Sequence, residues 1–107
     1  MFESLSLLSE TVRRIAERMN PRQVVLFGSR ARGEAGPESD FDLLVIADSP
    51  EPRYRRSAPL YSLLADLPVE IEVVVYTPEE VEEWRGVRQS FVATALREGV
   101  VVYEKQD

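Results

Sequence analysis

Two short apolar runs, residues 24–27 (V-V-L-F) and 43–46 (L-L-V-I), bracket the stretch that most constrains this chain. The first ends at Gly28-Ser29. Ten residues then separate Ser29 from Asp40, and Asp40 and Asp42 flank Phe41 ahead of the second run. Continuous apolar runs of this length fit strands buried on both faces. A strand alternates its side chains, so Asp40 and Asp42 should project side by side from the leading end of a strand over 40–47. Adjacent carboxylates repel each other, and a hard divalent cation such as Mg²⁺ relieves that repulsion. Gly28 lets the backbone turn tightly after the first strand. Ser29 and the N–H groups that follow can then cradle an anion. A phosphate cradle beside paired carboxylates is the minimum equipment for holding a metal–nucleoside triphosphate.

Composition narrows the chemistry. With 107 residues, one domain over 1–107 is expected, with a single core and no room for a separate substrate-recognition unit. The net charge is −6 and there is no basic tail, which argues against non-specific nucleic-acid binding as the main task. The chain has no Cys and no His, so disulfides, thiolate metal sites and the commonest general base are excluded. Catalysis would have to run on carboxylates, Arg, hydroxyls and a hard metal. No signal peptide or membrane span is recognisable, and a cytoplasmic location is expected.

The remaining elements follow from periodicity. Leu5, Leu8, Val12, Ile15 and Met19 mark an amphipathic helix over residues 3–19, with Ser4 as a candidate cap and Asn20-Pro21 as its stop. Residues 29–32 could form one helical turn that Gly33 ends, and 34–39 read as a loop. Residues 53–67 have helical spacing at Tyr54, Ala58, Tyr61 and Leu64 or Ala65. Pro59 requires either a fresh start near Ser57 or a kink. Arg53, Arg55 and Arg56 form a basic cluster, either a solvated helix face or an anion site. Residues 69–76 predict a third strand, with Glu70 and Glu72 on one face. Thr77-Pro78-Glu79-Glu80 spells a capping box for a helix reaching Trp84. A further helix over 90–97, with Phe91, Ala95 and Leu96 facing inward, stops at Gly99. A last strand spans 100–103. The third and last strands are candidates for exposed sheet edges that pair with another chain.

The segment Gly28-Ser29-x10-Asp40-x-Asp42 is similar to the signature of the DNA polymerase β-like nucleotidyltransferase superfamily. The fuller text G-S-R-A-R-G…S-D-F-D-L-L-V resembles the minimal nucleotidyltransferases of bacteria and archaea. The tail over 95–104 (A-L-R-E-G-V-V-V-Y-E) extends that resemblance over nearly the whole chain. It implies an α+β, polymerase β-like palm fold: a mixed sheet of about four strands with helices packed mainly on one face. It implies transfer of a nucleoside monophosphate, above all AMP from ATP, to a hydroxyl acceptor. Two Mg²⁺ ions would be held by Asp40, Asp42 and a third acid. In the resembling family that acid lies on the strand before a T-P-E-E-type helix start. Counting back from Thr77, it falls on Glu72, where the family has Asp. Glu reaches roughly 1.5 Å further, and Glu70 is the second candidate. Gly28 and Ser29 are assigned to the β- and γ-phosphates. Arg30 and Arg32 either neutralise the triphosphate or pair with nearby carboxylates. Many such proteins are paired with a HEPN-domain protein in toxin–antitoxin modules, where the transferase is the antitoxin and adenylylates or sequesters a HEPN ribonuclease. A protein partner is therefore implied. Two other readings stand beside this one. The first is a non-catalytic module that neutralises a partner by contact, with or without nucleotide binding. The second is an aminoglycoside-type adenylyltransferase, for which no second domain encloses the small molecule.

Overall fold

The computed structural model describes residues 2–28, 31, 33 and 41–106, without the side chains of residues 2–5. Among the described residues nine elements follow in order: α1 (Phe2–Met19), β1 (Gln23–Phe27), β2 (Phe41–Ile46), α2 (Arg53–Arg56), α3 (Ala58–Leu64), β3 (Ile71–Tyr76), α4 (Pro78–Trp84), α5 (Phe91–Glu98) and β4 (Val100–Glu104). The four strands make one sheet in the order β3-β2-β1-β4. β1 is antiparallel to β2 and β4, whereas β2 and β3 are parallel. The parallel pair needs a crossover, and α2 with α3 supplies it. β3 and β4 are the sheet edges, as the sequence predicts.

β2 is central and buried on both faces. Phe41, Leu43, Leu44 and Val45 have almost no exposed surface. Its odd-numbered residues join Val24, Leu26, Val73 and Val75 in the larger core, which Ile15 of α1 and Leu60 and Leu64 of α3 cover. On the other face Leu44 and Ile46 meet Val25, Val81, Val92 and Ala95 beneath α4 and α5. Helices therefore lie on both faces, α1 and α3 over the larger core and α4 and α5 over the smaller one. No described helix is long and apolar enough to cross a membrane.

Several local expectations are corrected. α1 already runs from Phe2, which places Ser4 inside the helix rather than at its cap. Of the two alternatives at Pro59, the fresh start at Ser57 holds, and Pro59 sits in the first turn of α3, where its missing N–H costs nothing. The restart shifts the helical phase, so Tyr54 is 83% exposed and Leu60 joins the expected Leu64 in the core. Tyr61 is still used, because its hydroxyl accepts the Val73 N–H at 2.9 Å on the sheet edge. β3 begins at Ile71 rather than Val69, because the Val69 N–H is bonded to the Leu67 carbonyl in a turn. On α5 the buried residues are Val92, Ala93 and Ala95, while Phe91 is half-exposed.

The basic cluster of α2 is neither a solvated face nor an anion site at Arg56. This guanidinium is buried, and it bonds both oxygens of Glu80 as well as the carbonyls of Glu51 and Val75. Glu80 also accepts the Thr77 N–H in the predicted capping box. One carboxylate thus ties α2, the end of β3 and the start of α4 together. Arg14 plays a similar part between α1 and α3, bonding Glu10, Asp66 and the Leu63 carbonyl.

Arg56→Ala would leave Glu80 half-satisfied at its buried end. A loss of about 3 kcal/mol is expected in equilibrium urea unfolding. The pH dependence follows from the same contact. The Arg56 guanidinium, followed by the Thr77 N–H, holds the Glu80 carboxyl below its ordinary 4.5. Glu10 is lowered to about 2 by Arg13 and Arg14. A carboxyl depressed in the folded state contributes stability that is complete above its unfolded value and is lost as pH falls through the folded one. The urea midpoint should therefore be flat from pH 7 to 5 and fall below pH 4.5, with a shallower fall in Glu80→Gln.

Candidate active site

The register of the sheet builds a polar row. Asp42 of β2 stands opposite Phe27 of β1 and opposite Glu72 of β3. Residues paired across a ladder share a face, so Asp42 and Glu72 lie side by side. They belong to the face that α4 and α5 cover, but at its uncovered end. Asp42 is half-buried and Glu72 exposed. The sequence-predicted acids of β2 and β3 are thus brought together at neighbouring positions, although Asp42 and Glu72 are 30 residues apart in the chain. Glu70 comes next along the chain before β3. Its carbonyl accepts the Phe41 N–H at 3.0 Å, and its side chain is exposed.

Gly28 closes over this row. Its φ of +77° is the left-handed conformation that glycine adopts without strain. A Cβ built there would fall onto Asp42 Oδ2 and lie 3.1 Å from Asp42 Cγ. The backbone therefore approaches the carboxylate as closely as a residue without a side chain allows. Two carboxylates on one face, beside a glycine turn, form a hard oxygen donor set of the kind that suits Mg²⁺. Ser29, Arg30, Arg32 and Asp40 lie outside the described residues.

Phe27, the neighbour of Asp42, begins an aromatic row that runs along this face to Tyr76, which pairs with Ile46 at the far end of β2. The Phe91 ring stands edge-on to Phe27, centroids 5.1 Å apart, and stacks on Tyr76 at 5.9 Å. The Arg53 guanidinium sits 4.6 Å from the centre of the Tyr76 ring. Strand parity puts Tyr76 on the face of Glu72, and the β1–β2 register puts Phe27 beside Asp42. Only the path of α5 brings Phe91 to them. A separate groove of about 650 Å³, lined by Arg22, Ile46, Arg85 and Lys105 among others, opens at the opposite end of β2, away from Asp42.

The family model of nucleotidyltransferase domains matches residues 8–102, most of the chain. No curated protein sequence matches significantly. Among solved structures, a proposed nucleotidyltransferase from Sulfolobus solfataricus superposes with a TM-score of 0.67 at 20% identity. That match covers 94% of this chain and 80% of the other. A toxin–antitoxin structure with AMP-PNP superposes with a TM-score of 0.57 at 17% identity, over 92% of this chain and 73% of the other. At these identities the likeness concerns the fold.

Gly28→Ala should cost about 1–2 kcal/mol from its backbone conformation alone. Contact with Asp42 should add a coupling. In a double-mutant cycle with Asp42→Ala, thermal or urea unfolding should report a coupling above about 0.5 kcal/mol.

Proposed function

Because the chain belongs to the nucleotidyltransferase domain family, we propose that it is a Mg²⁺-dependent enzyme that transfers AMP from ATP to a hydroxyl of a protein partner. The observation that carries this reading is the Asp42–Glu72 row beneath the Gly28 turn. Asp42 and Glu72 would hold the cation, and Asp40 would complete the set. Ser29 and the N–H groups after Gly28 would hold the β- and γ-phosphates, with Arg30 and Arg32 offsetting their charge. When bound, Mg²⁺ would neutralise the triphosphate and make the acceptor hydroxyl more acidic. Glu72, at the exposed rim, would then take the acceptor proton as pyrophosphate leaves. Positioning and charge neutralisation would supply most of the rate.

The acceptor is proposed to be a HEPN-domain protein in a toxin–antitoxin pair, with this chain as the antitoxin. The structural likeness to a toxin–antitoxin solved with AMP-PNP supports a toxin–antitoxin setting and an adenine nucleotide, and the HEPN class rests on the sequence resemblance. The β4 edge offers backbone for pairing with such a partner, whereas Tyr61 and Arg56 already occupy the Val73 and Val75 backbone on the β3 edge. A cytoplasmic location follows from the proposed need for ATP.

The test is calorimetric titration of ATP with and without Mg²⁺, on wild type and Asp42→Asn. Metal-dependent binding that weakens at least tenfold in the variant is the expected result. Label transfer from ATP to a co-expressed HEPN protein should then be abolished in the same variant. Wild type that binds no nucleotide would leave the non-catalytic contact module as the reading.

A further inference from the structure

Phe91 is anomalous within its own helix. Its neighbours Val92, Ala93 and Ala95 are buried, yet it stays 39% exposed at the first position of α5. It is not loosely held. Ser90 accepts the Ala93 N–H and donates to the Trp84 carbonyl at 2.8 Å, which fixes the start of the helix. The ring is then braced edge-on by Phe27 and stacked on Tyr76. Tyr76 in turn carries the Arg53 guanidinium. Two rings, one of them carrying an arginine, thus hold the Phe91 ring in place and leave part of the residue exposed.

Its position gives that surface a use. Phe27 is the direct cross-strand neighbour of Asp42. Paired residues on adjacent strands lie about 5 Å apart. Phe91 is one ring contact further from Asp42, so its ring lies on the order of 10 Å away, along the face toward Tyr76. A nucleotide spans a comparable length between its phosphates and its base. The end near Asp42 and Glu72 is polar and suits the metal-bound phosphates. The end at Phe91 is flat and apolar, as a base requires.

We propose that Phe91, braced by Phe27 and Tyr76, is the platform on which the nucleobase stacks while the phosphates lie toward Asp42 and Glu72. This inference rests on the nucleotide-binding reading of the same acids. It assigns the base to stacking rather than to edge-on hydrogen bonding, so purine nucleotides, with the larger ring area, should bind better than pyrimidine ones.

Two probes separate the base from the phosphates: Mg²⁺–ATP and Mg²⁺–tripolyphosphate, titrated calorimetrically into the full chain. Phe91→Ala and Phe91→Leu should each weaken ATP about tenfold and leave tripolyphosphate unchanged, whereas Phe91→Tyr should retain ATP affinity. Leu keeps most of the packing volume, so a Phe91→Leu protein with wild-type unfolding temperature guards against a simple folding defect. Equal losses on both probes would mean that Phe91 only supports the fold, and would overturn the proposal. Unchanged ATP affinity in Phe91→Leu would also overturn it. Wild type that binds tripolyphosphate as tightly as ATP would show that the base makes no contact. Wild type that binds neither probe would remove the nucleotide reading itself, which the other outcomes leave intact.

Discussion

β2 has to be buried on both faces while carrying acid at its leading end, and the rest of the molecule accommodates that demand. Phe41, Leu43, Leu44 and Val45 exclude water on both sides, so helical layers are required above and below the sheet. One layer, from α1 and α3, is extensive. The other, from α4 and α5, rests on Val25, Leu44 and Ile46 and leaves the Asp42 end uncovered. A carboxylate is costly to strip of water, and the second layer ends where the strand face changes from Leu44 to Asp42. The open site is the unburied remainder of the same strand that organises the core.

Glu80 shows how the second layer is held in register. Its carboxylate serves as the capping partner of α4 and as an acidic partner of the buried Arg56. The short α2 is thereby anchored to the end of β3, and Arg53, one turn earlier, comes to rest over Tyr76. The aromatic row that begins beside Asp42 thus depends on an ion pair and a helix cap some distance away. Packing on the opposite face is tied in a comparable way, because Arg14 reaches from α1 to Asp66 and to a carbonyl near the end of α3.

Most of the fold was legible before the structure. The apolar runs located β1 and β2, the capping box located α4, and Gly99 marked the end of α5. Gly99 also proves to lie against β1, where a Cβ would come within 2.6 Å of Val25 Cγ1 and 2.8 Å of the Leu26 carbonyl. Where the sequence misleads, the missing information is tertiary. Spacing runs one stripe through Tyr54 and Tyr61, and although Pro59 points to a fresh start near Ser57, that start resets the phase by an amount that periodicity cannot supply. Arg56 read as a surface charge because its partner, Glu80, is distant in the chain and was already accounted for as a cap. Phe91 read as a core residue because an aromatic side chain at a helix start gives no sign of which part of its ring a neighbour will cover.

The sequence by itself determined the chemistry available: carboxylates, arginines and a glycine turn, with no thiol or imidazole. It also determined which residues share a strand face, because the two-residue alternation is a local property of the backbone. It could nominate Glu72 only by resemblance. The tertiary structure decided that β2 and β3 run parallel with Asp42 opposite Glu72, that Gly28 closes against the Asp42 carboxylate, and that Phe91 reaches Phe27. Those three contacts join segments that are far apart in the chain. Strand register and helix placement set them, and both come from the packing of the whole core rather than from any single stretch of residues.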